Sequence, residues 1–199
     1  EASTPLKSKR LAMILAAWST ALVNWCRSTS ETTSNVGITT YRFSKINAGL
    51  TVSDISFYKG KIYLSTNGNG LFEVVNDSIR LVKHQEAVHP RIRSLLVKND
   101  TLFLGTKEGL VFLRNEGDFQ KYHSEFDTLS ISSLAKHGDS LIVATFGKGL
   151  FIKLHGKTEQ FIQTDPKFNK PRNVFPAKNG DLWISTKNGV VQLKNGKIT

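Results

Sequence analysis

Threonine and glycine recur in phase along most of this 199-residue chain, and that recurrence limits the fold more than any other feature. Thr66, Thr106, Thr145 and Thr186 stand 40, 39 and 41 residues apart, and Gly70, Gly109, Gly149 and Gly189 stand 39, 40 and 40 apart. Each glycine is followed by an apolar residue: Leu71, Leu110, Leu150 or Val190. Ile55, Leu95, Leu134 and Phe175 lie eleven residues ahead of the threonines. Four segments therefore align, 52–74, 92–113, 131–153 and 173–193. Self-similarity at such a period marks stacked units, none of which can cover its apolar faces alone.

Each unit reads as four short strands. The first alternates, as in Ile92, Leu95 and Val97, and ends in a turn such as Lys98-Asn99-Asp100 or Lys178-Asn179-Gly180-Asp181. The second is rich in β-formers: Ile62-Tyr63-Leu64, Leu102-Phe103-Leu104, Leu141-Ile142-Val143 and Leu182-Trp183-Ile184. The third follows the glycine. A turn such as Asn76-Asp77 or His155-Gly156 then leads to a more polar fourth strand, Ile79 to Lys83 or Thr158 to Gln163. The glycines supply the positive φ that short hairpin turns need. The small residues before each threonine (Ser65, Gly105, Ala144, Ser185) point to close packing between neighbouring strands. Four antiparallel strands every forty residues is the sequence form of β-propeller blades, so the expected fold is all-β with about four consecutive four-stranded blades. A β-solenoid, the alternative, requires shorter repeats without paired hairpins.

The unit NGDLWISTKNGVVQL at 179–193, with NDTLFLGTKEGLVFL at 99–113 behind IRSL, resembles the two-component regulator propeller repeat. The shared core is a glycine turn, aliphatic and aromatic residues, Gly or Ser, Thr, and a glycine-led next strand. The likeness covers about residues 40–199; Val143 and Val190 depart from the pattern. The resemblance implies an extracytoplasmic sensor region of a hybrid two-component receptor, homodimeric in the full-length protein. It also implies a membrane segment and a histidine kinase downstream. No kinase motif lies in these 199 residues, so this chain itself is not expected to be an enzyme. Two alternatives remain open: a free-standing secreted or lipid-anchored propeller that binds glycan or protein, and a propeller-type lyase or hydrolase.

Ahead of the repeats, Lys7, Lys9 and Arg10 precede an apolar stretch from Leu11 to Cys26, followed by the polar RSTSETTS. A basic region before a short apolar core reads as an export signal or a membrane anchor, expected to be helical, with a disordered tether behind it. Cys26 is the only cysteine, which excludes an internal disulfide and a cysteine-based metal site. Its place before the tether resembles a lipoprotein attachment site, although Asn24 and Trp25 stand where small residues are preferred. The division is thus 1–35 for signal and tether, and 36–199 for repeats at about 48–86, 87–126, 127–167 and 168–199. Tyr41–Ser44 matches a fourth-strand position and suits the outer edge of the last blade. Asn195–Thr199 begins that blade's own fourth strand, so the two compete and an incomplete ring is expected, cut short in its last blade.

The chemistry-bearing residues form no catalytic pattern. His84, His89, His123, His137 and His155 show no metal-ligand spacing, and Asp100, Asp139 and Asp181 recur at one turn, which suits backbone hydrogen bonding. No catalytic residue, metal site or cofactor is expected. Trp183 and Tyr63, as second-strand residues, are expected in the core before any sugar-stacking role. The net charge of +11 is spread among sixteen interleaved acids rather than gathered in a stripe, which argues against a nucleic-acid partner. Blade-to-blade connections and the turns between second and third strands emerge on one propeller face. That face carries Arg91, Arg93, Lys107, Lys148, Lys170, Arg172 and Lys187, with Asn67 and Asn69, against Glu86, Glu108, Glu125, Asp127 and Asp165. It is a candidate surface for an anionic oligosaccharide, through charge-assisted hydrogen bonds; plain surface basicity is the alternative.

Overall fold

The computed structural model describes residues 10–14, 23–29, 40–46, 49–75, 78–114, 118–122, 125–161, 170–194 and 197–198. Strands β1 (Arg10–Ile14), β2 (Val23–Thr29) and β3 (Thr40–Ile46) pair in that order as an antiparallel sheet. The helix expected over Leu11 to Cys26 falls partly on residues 15–22, outside the described ones. The described residues on either side are strand, in keeping with the β-propensity of Ile14, Val23 and Trp25.

Four four-stranded antiparallel sheets follow, each meandering in sequence order. The first blade is β4 (Val52–Tyr58), β5 (Lys61–Thr66), β6 (Leu71–Val75) and β7 (Ser78–Leu81). The second is β8 (Ile92–Lys98), β9 (Thr101–Thr106), β10 (Gly109–Arg114) and β11 (Gln120–Lys121). The third is β12 (Ile131–His137), β13 (Ser140–Thr145), β14 (Gly149–Leu154) and β15 (Lys157–Phe161). The fourth is β16 (Pro171–Pro176), β17 (Leu182–Thr186), β18 (Gly189–Lys194) and β19 (Lys197–Ile198). Edge strand β19 pairs with β18, whereas the Tyr41–Ser44 segment suggested for that edge lies within β3 and pairs with β2. Innermost strands β4, β8, β12 and β16 pack in succession, each on the next. The first and last of them make no comparable contact among the described residues, so the blades form an open arc.

The repeat's two landmark residues are bonded to each other. Thr66, Thr106, Thr145 and Thr186 each donate the Oγ1 hydroxyl to the carbonyl of Gly70, Gly109, Gly149 or Gly189, at 2.7 to 3.1 Å. In three turns the same Oγ1 accepts a backbone N–H from Asn69, Glu108 or Asn188. One hydroxyl thus closes each turn, and a serine or threonine is needed wherever the turn recurs. Glycine follows because its φ is positive, between +79 and +134.

Apolar side chains gather between blades rather than within one centre. Tyr63 and Leu71 of the first blade meet Leu95, Leu104 and Val111 of the second. Leu110 meets Leu134 and Val143 of the third, and Ala144 and Leu150 meet Val174 and Ile184 of the fourth. The small residue ahead of the threonine serves this contact: a Cβ on Gly105 would lie 2.6 Å from Ile131 Cγ2 of the next blade.

A polar rail runs beside these layers. Asp54 Oδ2 accepts the Leu95 N–H (2.7 Å), Ser94 Oγ accepts that of Leu134 (3.1 Å), and Ser133 Oγ accepts that of Val174 (3.2 Å). Every first strand has a bulge just before that residue: between Val52 and Asp54, Ile92 and Ser94, Ile131 and Ser133, and Pro171 and Asn173. Each bulge re-aims a side chain toward the neighbouring blade.

The fourth repeat is registered one residue differently from the sequence alignment. Ile55, Leu95 and Leu134 pair with Leu64, Leu104 and Val143, but Ile184 pairs with Val174 rather than Phe175. The first three blades turn on two residues between strands, while residues 177–181 separate Pro176 from Leu182. This extra length also removes Asp181 from the position shared by Asp100 and Asp139. Asp181 is buried, and its Oδ2 accepts hydrogen bonds from Asn179 Nδ2 and Gln192 Nε2, both 2.7 Å.

Asp54 is the one carboxylate in the rail. Burial raises its pKa above the ordinary 3.8, opposed by the N–H groups of Leu95 and Ile55 and the Ser94 side chain. A raised value means that the folded state favours the protonated carboxyl. Its contribution to stability is therefore full below about pH 3.8 and declines as pH rises through the folded value. Asp54→Ser, which installs the residue found in the next two blades, is expected to gain stability relative to the parent between pH 4 and 7. Urea midpoints of both proteins across that range test this, and parallel pH profiles would count against it.

Candidate functional face

The first and second strands of each blade pair so that the residue before one and the residue after the other meet at one end. The pairs are Thr51 with Asn67, Arg91 with Lys107, Ser130 with Phe146, and Lys170 with Lys187. Backbone bonds join three of them directly: Asn67 N–H to Thr51 O (3.0 Å), Lys107 N–H to Arg91 O (3.0 Å) and Phe146 N–H to Ser130 O (2.8 Å). Cross-blade bonds extend the surface, with Gly68 and Gly70 N–H groups on Pro90 O and Gly109 N–H on Leu129 O. Asn67 also bridges to Arg91. The turns between second and third strands and the blade entries therefore share one face, and its basic pairs belong to the second and fourth blades.

Arg93 and Arg172 occupy bulge positions, equivalent to Ser53 and Ser132, whose hydroxyls donate to Ile92 O and Pro171 O of the following blades. Arg93 instead reaches across to the third blade. Its Nη1 donates to Ser130 Oγ at 2.7 Å, and its guanidinium lies over the Phe146 ring, 4.5 Å from the centroid. Partial burial lowers its pKa, with Arg91 beside it adding to the effect. A guanidinium titrates so high that it stays charged at neutral pH. The aromatic face and serine hold Arg93 in one orientation, which limits the entropy lost when an anion engages it.

The remaining members are exposed. Asn69 lies in the first blade's turn, Lys148 in the third's, and Lys187 in the fourth's, with Lys170 and Arg172 at the entry to β16. Glu108 approaches His89, with its Oε1 3.5 Å from Nε2, and Glu125 sits 3.9 Å from Lys153. Asp165 lies outside the described residues. The bulges are the element missed by residue-by-residue reading, yet the sequence carried a sign of them. Ile92 and Leu95 are three apart, and a plain strand would place them on opposite faces.

A cavity of about 350 Å³ lies between the first two blades, lined by Tyr58, Tyr63, Glu73, Arg80, Leu113 and Phe119 among others. Between the second and third blades the corresponding space holds Phe103, Phe112 and Tyr122 packed edge to face. Glu73 stands opposite Tyr63 where Phe112 stands opposite Phe103, and that substitution leaves the gap. Arg80 Nε donates to Glu73 (3.1 Å), and Lys61 is 3.9 Å away, so this carboxylate is neutralised in place. Among the described residues, no group of three or more His, Cys, Asp or Glu could hold a metal ion.

No family model matches the chain, and no curated protein does. Solved structures do. The WD40 beta propeller domain of Doa1 superposes with a TM-score of 0.56 at 9% identity, over 75% of this chain and 53% of that one. The fold is a β-propeller. Virginiamycin B lyase from Staphylococcus aureus matches this propeller with a TM-score of 0.62 at 17% identity, over 97% of this chain and 69% of the lyase. A structure named as the extracellular domain of hybrid two component system BT4673 from B. thetaiotaomicron matches with a TM-score of 0.64 at 22% identity. That match covers 77% of the propeller chain but only 22% of the larger domain. At these identities the likeness concerns blade architecture.

Proposed function

We propose that this propeller is part of the extracytoplasmic sensing region of a two-component receptor, and that its basic face binds an anionic ligand such as an acidic oligosaccharide. The observation that carries the ligand reading is Arg93. It is held by Ser130 and Phe146 across a blade boundary, beside the exposed Arg91 and Lys107. A carboxylate or sulfate there would bridge the second and third blades and bias their relative arrangement. Such a bias is the kind of change a sensor can pass to a kinase through the membrane. The repeat resemblance and the architecture shared with sensor extracellular domains support the receptor reading.

Calorimetric titration with oligogalacturonate and with a neutral oligosaccharide of the same length tests the ligand class. Binding is expected for the acidic glycan alone and should weaken as salt rises. Arg91→Glu with Lys107→Glu, both exposed, should reduce affinity at least about tenfold, since hydrogen bonds to charged groups contribute roughly 1.5–3 kcal/mol each. Equal binding of the neutral glycan, or full affinity in the charge-reversed variant, would remove the proposal.

A further inference from the structure

The cavity beside Glu73 is the space that aromatic side chains fill in the next layer of the arc. Tyr63, Glu73 and Val82 hold the places of Phe103, Phe112 and Tyr122. The first two equivalences follow from the pairing of second with third strands. The last follows from a backbone bond: Val82 N–H donates to Leu71 O (3.0 Å) as Tyr122 N–H donates to Leu110 O (2.8 Å). Between the second and third blades the three rings lie 6.0 to 6.4 Å apart. Between the first and second, one ring remains, a carboxylate and an aliphatic side chain replace the others, and about 350 Å³ is left. Tyr63 is buried, as expected of a second-strand residue, whereas Trp183 at the same place in the fourth blade is 42% exposed.

The floor of this cavity is apolar and fixed. Tyr58, Tyr63, Leu113 and Phe119 are buried, the two tyrosine rings lie 6.4 Å apart, and the Tyr58 hydroxyl donates to Asp100 O of the second blade (3.0 Å). Buried Glu73 supplies the polar group. Arg80 bonds to its Oε1, whereas Oε2 accepts no hydrogen bond among the described residues and has Lys61 Nζ 3.9 Å away. Arg80 offsets the charge of Glu73, which leaves Lys61 and Lys83 against the exposed Asp118 at the rim. The net field there favours an anion. The volume stands at the small end of ligand sites, about 300–1,000 Å³, and suits one ring with short substituents. Tyr58 and Lys61 flank the turn between β4 and β5, at the opposite end of those strands from Thr51 and Asn67, so the cavity is separate from the basic face.

We propose that this cavity binds a small phenolic acid, a single aromatic ring that bears a hydroxyl and a carboxylate. The ring takes the space that Phe112 and Tyr122 fill in the next layer, against Tyr63 and Phe119. Aromatic neighbours at that spacing gain more than their buried area alone provides. The hydroxyl donates to Glu73 Oε2, a charge-assisted bond to a carboxylate that Arg80 already holds in place. The ligand carboxylate meets Lys83 at the exposed rim. This site does not depend on the anion-binding face and stands if that one fails.

NMR titration of the full chain with 4-hydroxyphenylacetate reads the outcome. Saturable binding in the micromolar to millimolar range is expected, and its absence overturns the proposal. Phenylacetate, which lacks the hydroxyl, should bind about tenfold more weakly, since a hydrogen bond to a charged group contributes roughly 1.5–3 kcal/mol. The neutral p-cresol should bind about threefold more weakly, because an exposed ion pair contributes less than about 1 kcal/mol. Glu73→Phe with Val82→Tyr gives the first blade the rings of the second; it should abolish binding while the far-UV circular dichroism of the parent is kept. Lys83→Glu, at an exposed position, should weaken binding of 4-hydroxyphenylacetate and leave that of p-cresol unchanged. Retained binding in the filled double variant, or equal affinity for either analogue, shows the site to be wrongly assigned.

Discussion

Gly109→Ala is expected to lower the stability of the chain by about 2–6 kcal/mol, read as a fall in the urea midpoint at unchanged slope. Two separate penalties add there. Gly109 has φ +94, where an L side chain is strained by roughly 1–3 kcal/mol. Its added Cβ would lie 2.9 Å from Asp127 O and 3.0 Å from Phe126 O, which are backbone atoms of the blade connection and cannot swing aside. Displacing them disturbs the Gly109 N–H bond to Leu129 O and the packing beneath, at a further cost of about 1–3 kcal/mol. Gly189→Ala supplies the control. Its φ is +134, but nothing lies within 4 Å of the added carbon, so only the conformational penalty applies. Equal losses at the two positions would show that the connection does not press on the turn.

Phe126→Ala should cost about as much, roughly 3–5 kcal/mol, by leaving a cavity between the second and third blades. Phe126 is fully buried, 5.4 Å from the Phe151 ring in an edge-on contact and 6.5 Å from Tyr122. It hangs from a connection rather than a strand, so its loss separates two blades without removing a strand residue. Limited proteolysis near residues 114–130 should accelerate accordingly. Protection equal to that of the parent would mean that the neighbouring aromatics close the gap.

The architecture was legible because one bond writes itself into the sequence. A hydroxyl that closes each turn onto a positive-φ glycine demands both residues three or four positions apart, and four copies made the period visible. Phe175 misled because position was measured back from Thr186, across a turn with added length. The basic face was legible as a set of residues but not as a geometry. Arg93 and Lys107 could be assigned to one side of a blade, whereas the Ser130 and Phe146 cradle depends on a bulge and a neighbouring blade. Phe126 gave no signal at all, since a single aromatic in a polar connection has no period to reveal it. The cavity beside Glu73 was equally hidden, because it arises from what a neighbouring pair of blades contains and this pair lacks.

The rail of side chains clasping backbone N–H groups has a kinetic consequence. Its bonds join residues 41, 40 and 41 apart, so every blade is fastened by closing a loop of the same modest size. Loop-closure entropy grows only logarithmically, by about 0.6 kcal/mol per doubling, and here the loop does not lengthen as units are added. Assembly can therefore start at any adjacent pair and spread outward by equal steps. A chain of this design can gain or lose a unit without becoming slower to fold.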